Sequence, residues 1–135
     1  MKYVLRDLPL ESIHPFAFKA AEATHCAGDK GKYWEMHDRL FGNQRELARK
    51  DLSKHAEALG LDVAAFDQCL DSGKHAGRIR KDMAEAQRLQ TTGTPTFFLG
   101  LTDANGTQVK GTKMSGAQPY DAFKAAIDRL LSAQK

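Results

Sequence analysis

Apolar and polar positions alternate along the chain in blocks that predict a strand, five helices, a hairpin and a final helix. The run Lys2–Leu8 reads as a strand stopped by Pro9, since β-branched and aromatic residues favour pleated structure and proline ends it. Helix one is expected from about His14, as N-cap, with Pro15 at the favoured first helical position, to about Cys26. Helix two covers about Lys30–Phe41, where Trp34, His37 and Phe41 recur at helical spacing and Gly42 ends the run. Helix three spans about Leu52–Leu59, with Asp51 as N-cap and Gly60 as stop. Helix four follows Asp62 as N-cap and carries Phe66, Cys69 and Leu70 on one face. Helix five runs over about His75–Gln90, with Ile79, Met83, Ala86 and Leu89 as its apolar stripe. Two strands, about Thr96–Leu101 and Thr107–Lys110, flank the hairpin signal Asn105-Gly106. Helix six starts at Pro119 and is expected to bury Phe123, Ile127, Leu130 and Leu131. No internal repeat or low-complexity linker interrupts the series.

Composition narrows the class. A chain of 135 residues with 41% apolar residues suits one globular domain with a sizeable core. Its net charge of +3 is too small and too dispersed to argue for nucleic acid. Arg49-Lys50 and Arg78-Ile79-Arg80-Lys81 read as solvated helix faces. No apolar run approaches the roughly 18 residues of a membrane span, and Met1–Leu5 leads directly into Arg6-Asp7 without the pattern of a signal peptide. Neither a Gly-rich phosphate loop, a Ser/His/Asp order nor a carboxylate pair stands out, so no cofactor is expected. His37 reads as a hydrogen-bonded boundary histidine, Glu35 and Asp38 as the solvated side of helix two, and Tyr33, Trp34 and Met36 as packing residues.

The segment Gly93-Thr94-Pro95-Thr96-Phe97-Phe98-Leu99-Gly100 carries the most specific information. A Thr-Pro step opens a short β-branched and aromatic run, with proline at the first strand position, where its missing N–H costs nothing. With a cis Thr94–Pro95 bond the Thr94 backbone would be left to pair with an extended peptide; an ordinary trans turn is the alternative. This segment does not stand alone. Tyr3-Val4-Leu5-Arg6-Asp7-Leu8-Pro9-Leu10, His14-Pro15, Cys26-Ala27 and Gly31–Asp38 precede it in order, as do Leu59-Gly60-Leu61-Asp62 and Phe66–Leu70. The ordered set resembles the DsbA-like branch of the thioredoxin superfamily over essentially the whole chain.

That resemblance implies an α/β, thioredoxin-like fold: one domain over residues 1–135, a helical insertion over 12–90 and a ββα carboxy-terminal half over 93–135. It also implies thiol–disulfide exchange on cysteine-containing polypeptides in the periplasm or another extracytoplasmic compartment. Thr94 would pair with substrate backbone, while Pro95 would shape the loop and keep metal from the reactive thiols. In the family a Cys-x-x-Cys pair opens a helix just after a strand that precedes the segment matching Tyr3–Leu8. Here only Met1-Lys2 stands before that segment, so the first βα unit is expected to be missing and the chain is expected not to perform the family reaction.

Cys26 and Cys69 lie 43 positions apart and form no Cys-x-x-Cys motif. By the resemblance they make a structural disulfide that pins the insertion; two buried free thiols are the alternative. A zinc site from Cys26, His25 and His37 fits no compact ligand spacing, so no metal is expected. Two readings of function follow: a DsbA-type oxidoreductase domain without its redox pair, or a non-catalytic thioredoxin-like module that binds peptides or a partner. The kappa-class glutathione transferases share the insertion topology, but Gly31–Asp38 and Leu59–Leu70 read as DsbA-like. A gap left in the sheet would favour a homodimer or larger assembly, with Val4, Leu5, Phe97 or Phe98 near the contact.

Overall fold

A computed structural model describes residues 1–103, 105–106 and 109–133. Among them six helices and two strands follow in the order α1 (Ala17–Gly28), α2 (Tyr33–Gly42), α3 (Arg49–Ala58), α4 (Val63–Ser72), α5 (Ala76–Arg88), β1 (Thr96–Thr102), β2 (Val109–Ser115) and α6 (Tyr120–Ser132). The chain divides into two compact units, residues 1–89 and 90–135.

The first unit is helical, and its core follows from spacing. Each of α1 to α4 contributes a pair of residues at i and i+4: Ala23 and Ala27, Met36 and Leu40, Leu52 and Ala56, Phe66 and Leu70. Residues four apart stack on one helix face, so each pair forms a short apolar stripe. The alanines keep the α1 surface low, which lets its neighbours approach closely. Cys26 completes the cluster, and Ala20, Leu47, Leu59 and Leu61 pack around it. Helix ends are set by local chemistry. The Asp62 carboxylate accepts a hydrogen bond from the Ala65 N–H at 2.9 Å and caps α4. Gly73 closes the same helix at φ +66, a left-handed backbone that favours glycine.

Several expectations are corrected. No strand ladder forms over Lys2–Leu8 among the described residues. A strand exists only when a partner pairs with it, and here Arg6 and Asp7 are held by side chains of the helices instead. The N-cap of α1 is Phe16, with His14 further upstream in the turn residues, its carbonyl accepting from Ala17 N–H. Helix α3 begins two residues before Asp51, which sits inside the first turn and pairs with Lys54. There its negative charge still suits the helix dipole. The buried stripe of α2 is Met36 and Leu40; Trp34 and Phe41 are exposed, with the His37 ring between them in contact with both. His37 also pairs with the exposed Asp38 carboxylate at 2.9 Å. Leu89, expected on the apolar stripe of helix five, is the exposed C-cap of α5, and Asp82 on that helix is buried.

In the second unit β1 and β2 pair antiparallel, from Thr96 opposite Ser115 to Thr102 opposite Val109. Gly100 and Gly111 face one another in this register. A Cβ on Gly100 would run into the Lys110 carbonyl, and one on Gly111 into the Leu99 carbonyl, so only glycine fits either position. The second strand runs to Ser115, well past the expected Lys110 end, because a polar sequence such as Lys110-Gly111-Thr112-Lys113 suits a strand exposed along most of its length. Thr107 and Gln108, part of that expected strand, lie outside the described residues. Helix α6 packs on β1 through Phe123, whose ring meets Phe97 edge-on at 4.8 Å. Phe123, Ile127 and Leu130 are only half-buried and Leu131 is exposed, because a sheet of two strands offers little surface to cover them.

Candidate functional site

Residues 93–96 form the loop that enters β1. The Thr94–Pro95 peptide bond is cis. Thr96 Oγ donates to the Gly93 carbonyl at 2.7 Å, and Gly116 N–H donates to the Pro95 carbonyl at 2.8 Å. These bonds tie both flanks of the loop to the ends of β1 and β2. Thr94 and Pro95 themselves are exposed. Among the described residues the Thr94 N–H and C=O have no hydrogen-bond partner, so the loop presents an unpaired donor and acceptor beside the first strand position. An extended peptide laid alongside finds there the donor and acceptor that a strand edge offers.

The two cysteines sit in the helical unit. Cys26, near the end of α1, and Cys69, on α4, are joined as a disulfide with a Cα–Cα distance of 6.0 Å. The bond borders a cleft of about 160 Å³ lined by Cys26, Cys69, Asp29, Lys74, Leu61 and Phe66. Asp29 Oδ2 accepts from Lys74 Nζ at 2.6 Å and lies 3.0 Å from His75 Nε2. The Lys74 hydrogen bond holds the Asp29 carboxyl below its ordinary range, against the opposing effect of burial, and His75 adds to the lowering. Of the residues considered for zinc with Cys26, His25 turns to Asp7 and His37 to Asp38. The histidine beside the sulfurs is His75, which its sequence context gave no reason to single out.

A third constellation went unread in the sequence. His25, 5% exposed, has Nε2 at 2.6 Å from Asp7 Oδ2. The Asp7 N–H donates to Asp82 Oδ2 at 3.1 Å, and Arg6 Nη1 donates to Asp82 Oδ1 at 3.2 Å. Asp82 thus joins the amino-terminal segment to α5, with its buried charge paired and hydrogen-bonded as burial demands. Tyr33 packs against the His25 ring at 5.3 Å. Burial pushes its phenol up to about 12, and the negative charges of Asp7 and Asp82 add to that while Arg78 opposes it. The folded chain therefore holds this proton more tightly than the unfolded chain, whose tyrosines titrate near about 10. The contribution to stability is complete below about pH 10 and is lost as pH rises from there toward 12. Tyrosinate absorbance across an alkaline titration should show a step at about 12 that Tyr33→Phe removes. A Tyr33→Phe chain that keeps this step would refute the assignment.

Comparison with known proteins fixes the family. The family model described as a DSBA-like thioredoxin domain matches residues 6–128. The chain is 40% identical over 127 residues to the Na(+)/H(+) antiporter NhaA 3 of Salinispora tropica, covering 94% of the chain and 18% of that protein. It is 41% identical to NhaA 1 of Salinispora arenicola over the same extent, and 36% identical over 122 residues to NhaA of Herminiimonas arsenicoxydans, covering 90% of the chain and 17% of that protein. The chain thus spans less than a fifth of the length of these curated relatives. No solved structure matches. None of the described helices is long and apolar enough to cross a membrane. With the match running from Arg6 in the amino-terminal segment to Asp128 in α6, the chain belongs to the DSBA-like thioredoxin domain family.

Proposed function

We propose that this chain serves thiol–disulfide exchange as the substrate-facing part of a DsbA-like domain, with the Thr94–Pro95 loop receiving an extended, cysteine-containing peptide. The observation that carries this reading is the exposed Thr94 at the entry to β1, whose backbone N–H and C=O have no partner among the described residues, in a chain of this family. The nucleophile for exchange must be a thiolate, usually one of a Cys-x-x-Cys pair. This chain holds two cysteines, and both are spent in the Cys26–Cys69 bond. The loop therefore binds and orients, and the redox pair comes from another segment or another domain. An extracytoplasmic setting, general in the family, suits a lasting disulfide.

The relatives favour a second reading. They carry the name of an ion antiporter and are several times longer than this chain. On that reading the domain is a module of a transporter polypeptide that holds a partner segment through the same loop, without exchange. An in-frame Cys-x-x-Cys in the coding sequence adjoining Met1 supports the first reading, and its absence there supports the second.

Both readings place a peptide at Thr94. Titrating isotope-labelled chain with an extended peptide whose cysteine is alkylated should shift the Thr94 and Thr96 amide resonances. Shifts that spare Thr94 would overturn the loop assignment. In the same preparation insulin reduction should be negligible. An appreciable rate that disappears on alkylating Cys26 or Cys69 would show instead that this chain carries its own redox centre.

A further inference from the structure

The cleft beside the disulfide holds more chemistry than a cross-link requires. Cys26 Sγ, Cys69 Sγ and a ring nitrogen of His75 all lie within 4.8 Å of one another. They arrive from three elements: α1, α4 and the N-cap of α5. The Asp29 carboxylate stands at the same place, 3.9 Å from Cys69 Sγ and 3.0 Å from His75 Nε2. Two sulfurs and an imidazole are the ligand types that select zinc over the hard cations. Asp29 occupies His75 Nε2, which leaves Nδ1 for a metal, and a carboxylate on the other ring nitrogen is the usual partner that orients a metal-binding histidine.

We propose that reduction of the Cys26–Cys69 bond converts this cluster into a zinc site, with Cys26, Cys69 and His75 as ligands, Asp29 orienting His75, and the fourth position facing the cleft. The two states exclude one another, since sulfurs bonded to each other cannot both act as thiolate ligands. In the first step an external dithiol delivers two electrons and two protons to the bond; Cys26 and Cys69 become thiols and the dithiol closes to its own disulfide. In the second step zinc forms a bond to each sulfur and the two thiol protons leave to solvent.

The helices that carry the two cysteines share apolar packing besides the disulfide. Ala23 and Ala27 of α1 and Phe66 and Leu70 of α4 share one buried cluster, which holds the helix backbones in place. The zinc–sulfur distance of about 2.3 Å needs the sulfurs further apart than in the bond. Cys69 is only partly buried and lines the cleft, so rotation of its side chain supplies that separation. The site lies within the helical unit and does not depend on peptide binding at Thr94.

The test compares oxidised chain with chain reduced by a phosphine under anaerobic conditions, titrated with Co(2+) and then Zn(2+) against a chromophoric chelator. Reduced chain should take up one metal ion, with thiolate-to-cobalt charge-transfer absorption that zinc abolishes, and oxidised chain should show neither. Asp29→Asn should weaken binding by about 10–100-fold with the charge-transfer bands retained. His75→Ala should weaken it further, and Cys69→Ser should remove the two-thiolate spectrum. Equal uptake by oxidised and reduced chain would overturn the proposal, as would a reduced chain that binds no metal. If Cys69→Ser fails to fold by circular dichroism, His75→Ala decides: unchanged affinity there also overturns it.

Discussion

Replacing both cysteines, Cys26→Ala with Cys69→Ala, should lower the stability of the helical unit by about 3–4 kcal/mol. The bond closes a loop across 43 positions, and it limits the unfolded chain far more than it adds contacts to the folded one. Alanine is the suitable replacement because Cys26 is buried and a serine hydroxyl there would need a partner that its apolar neighbours lack. The drop corresponds to a thermal midpoint lower by roughly 15–20 °C for a unit the size of residues 1–89. Denatured, oxidised wild type should show no free thiol by mass measurement after alkylation. Two rapidly alkylated thiols in that experiment, or a double variant with an unchanged midpoint, would mean that the bond does not form or does not matter.

What the sequence disclosed and what it withheld divide along the range of the interactions. The Asp62 cap and the Gly60 stop were legible because each acts within a few residues. The strand at Thr96 was legible too, since its proline, threonine and phenylalanines all argue for the same structure. The failures were long-range. Asp82 stands next to Met83 on α5, and nothing local marks it as buried. Its partners, Arg6 and Asp7, are 76 and 75 positions away. The same missing knowledge made Lys2–Leu8 look like a strand, because local propensity does not say whether a partner strand stands beside it. On α2 two adjacent stripes, Tyr33–Met36–Leu40 and Trp34–His37–Phe41, both satisfy helical spacing, and only the neighbouring helices decide between them. The candidate site divides in the same way. Thr94 and Pro95 form a local motif, and the family resemblance implied the Cys26–Cys69 pairing that the structure holds. His75 and Asp29 reach the sulfurs only through the packing of α1, α4 and α5, which no spacing announces.

That packing is itself open to test at Leu70. Helices of 10 to 13 residues are marginal alone in water, so α1 to α5 owe their stability to the faces they share. Leu70 is fully buried in that shared cluster, and its carbonyl also accepts a hydrogen bond from Lys19 Nζ at 3.0 Å. Leu70→Ala keeps the carbonyl and removes only the side chain, so its cost is lost transfer energy plus the cavity left behind, about 2–5 kcal/mol. Leu131→Ala, on the 56% exposed face of α6, should change stability by no more than about 0.5 kcal/mol. Trp34 is the single tryptophan and belongs to the helical unit, so its fluorescence in a urea series follows that unit. The Leu70→Ala transition should move to markedly lower urea with a similar slope, while Leu131→Ala leaves it in place. Equal midpoints for the two variants would mean that the α1–α4 cluster does not govern the unfolding of this unit.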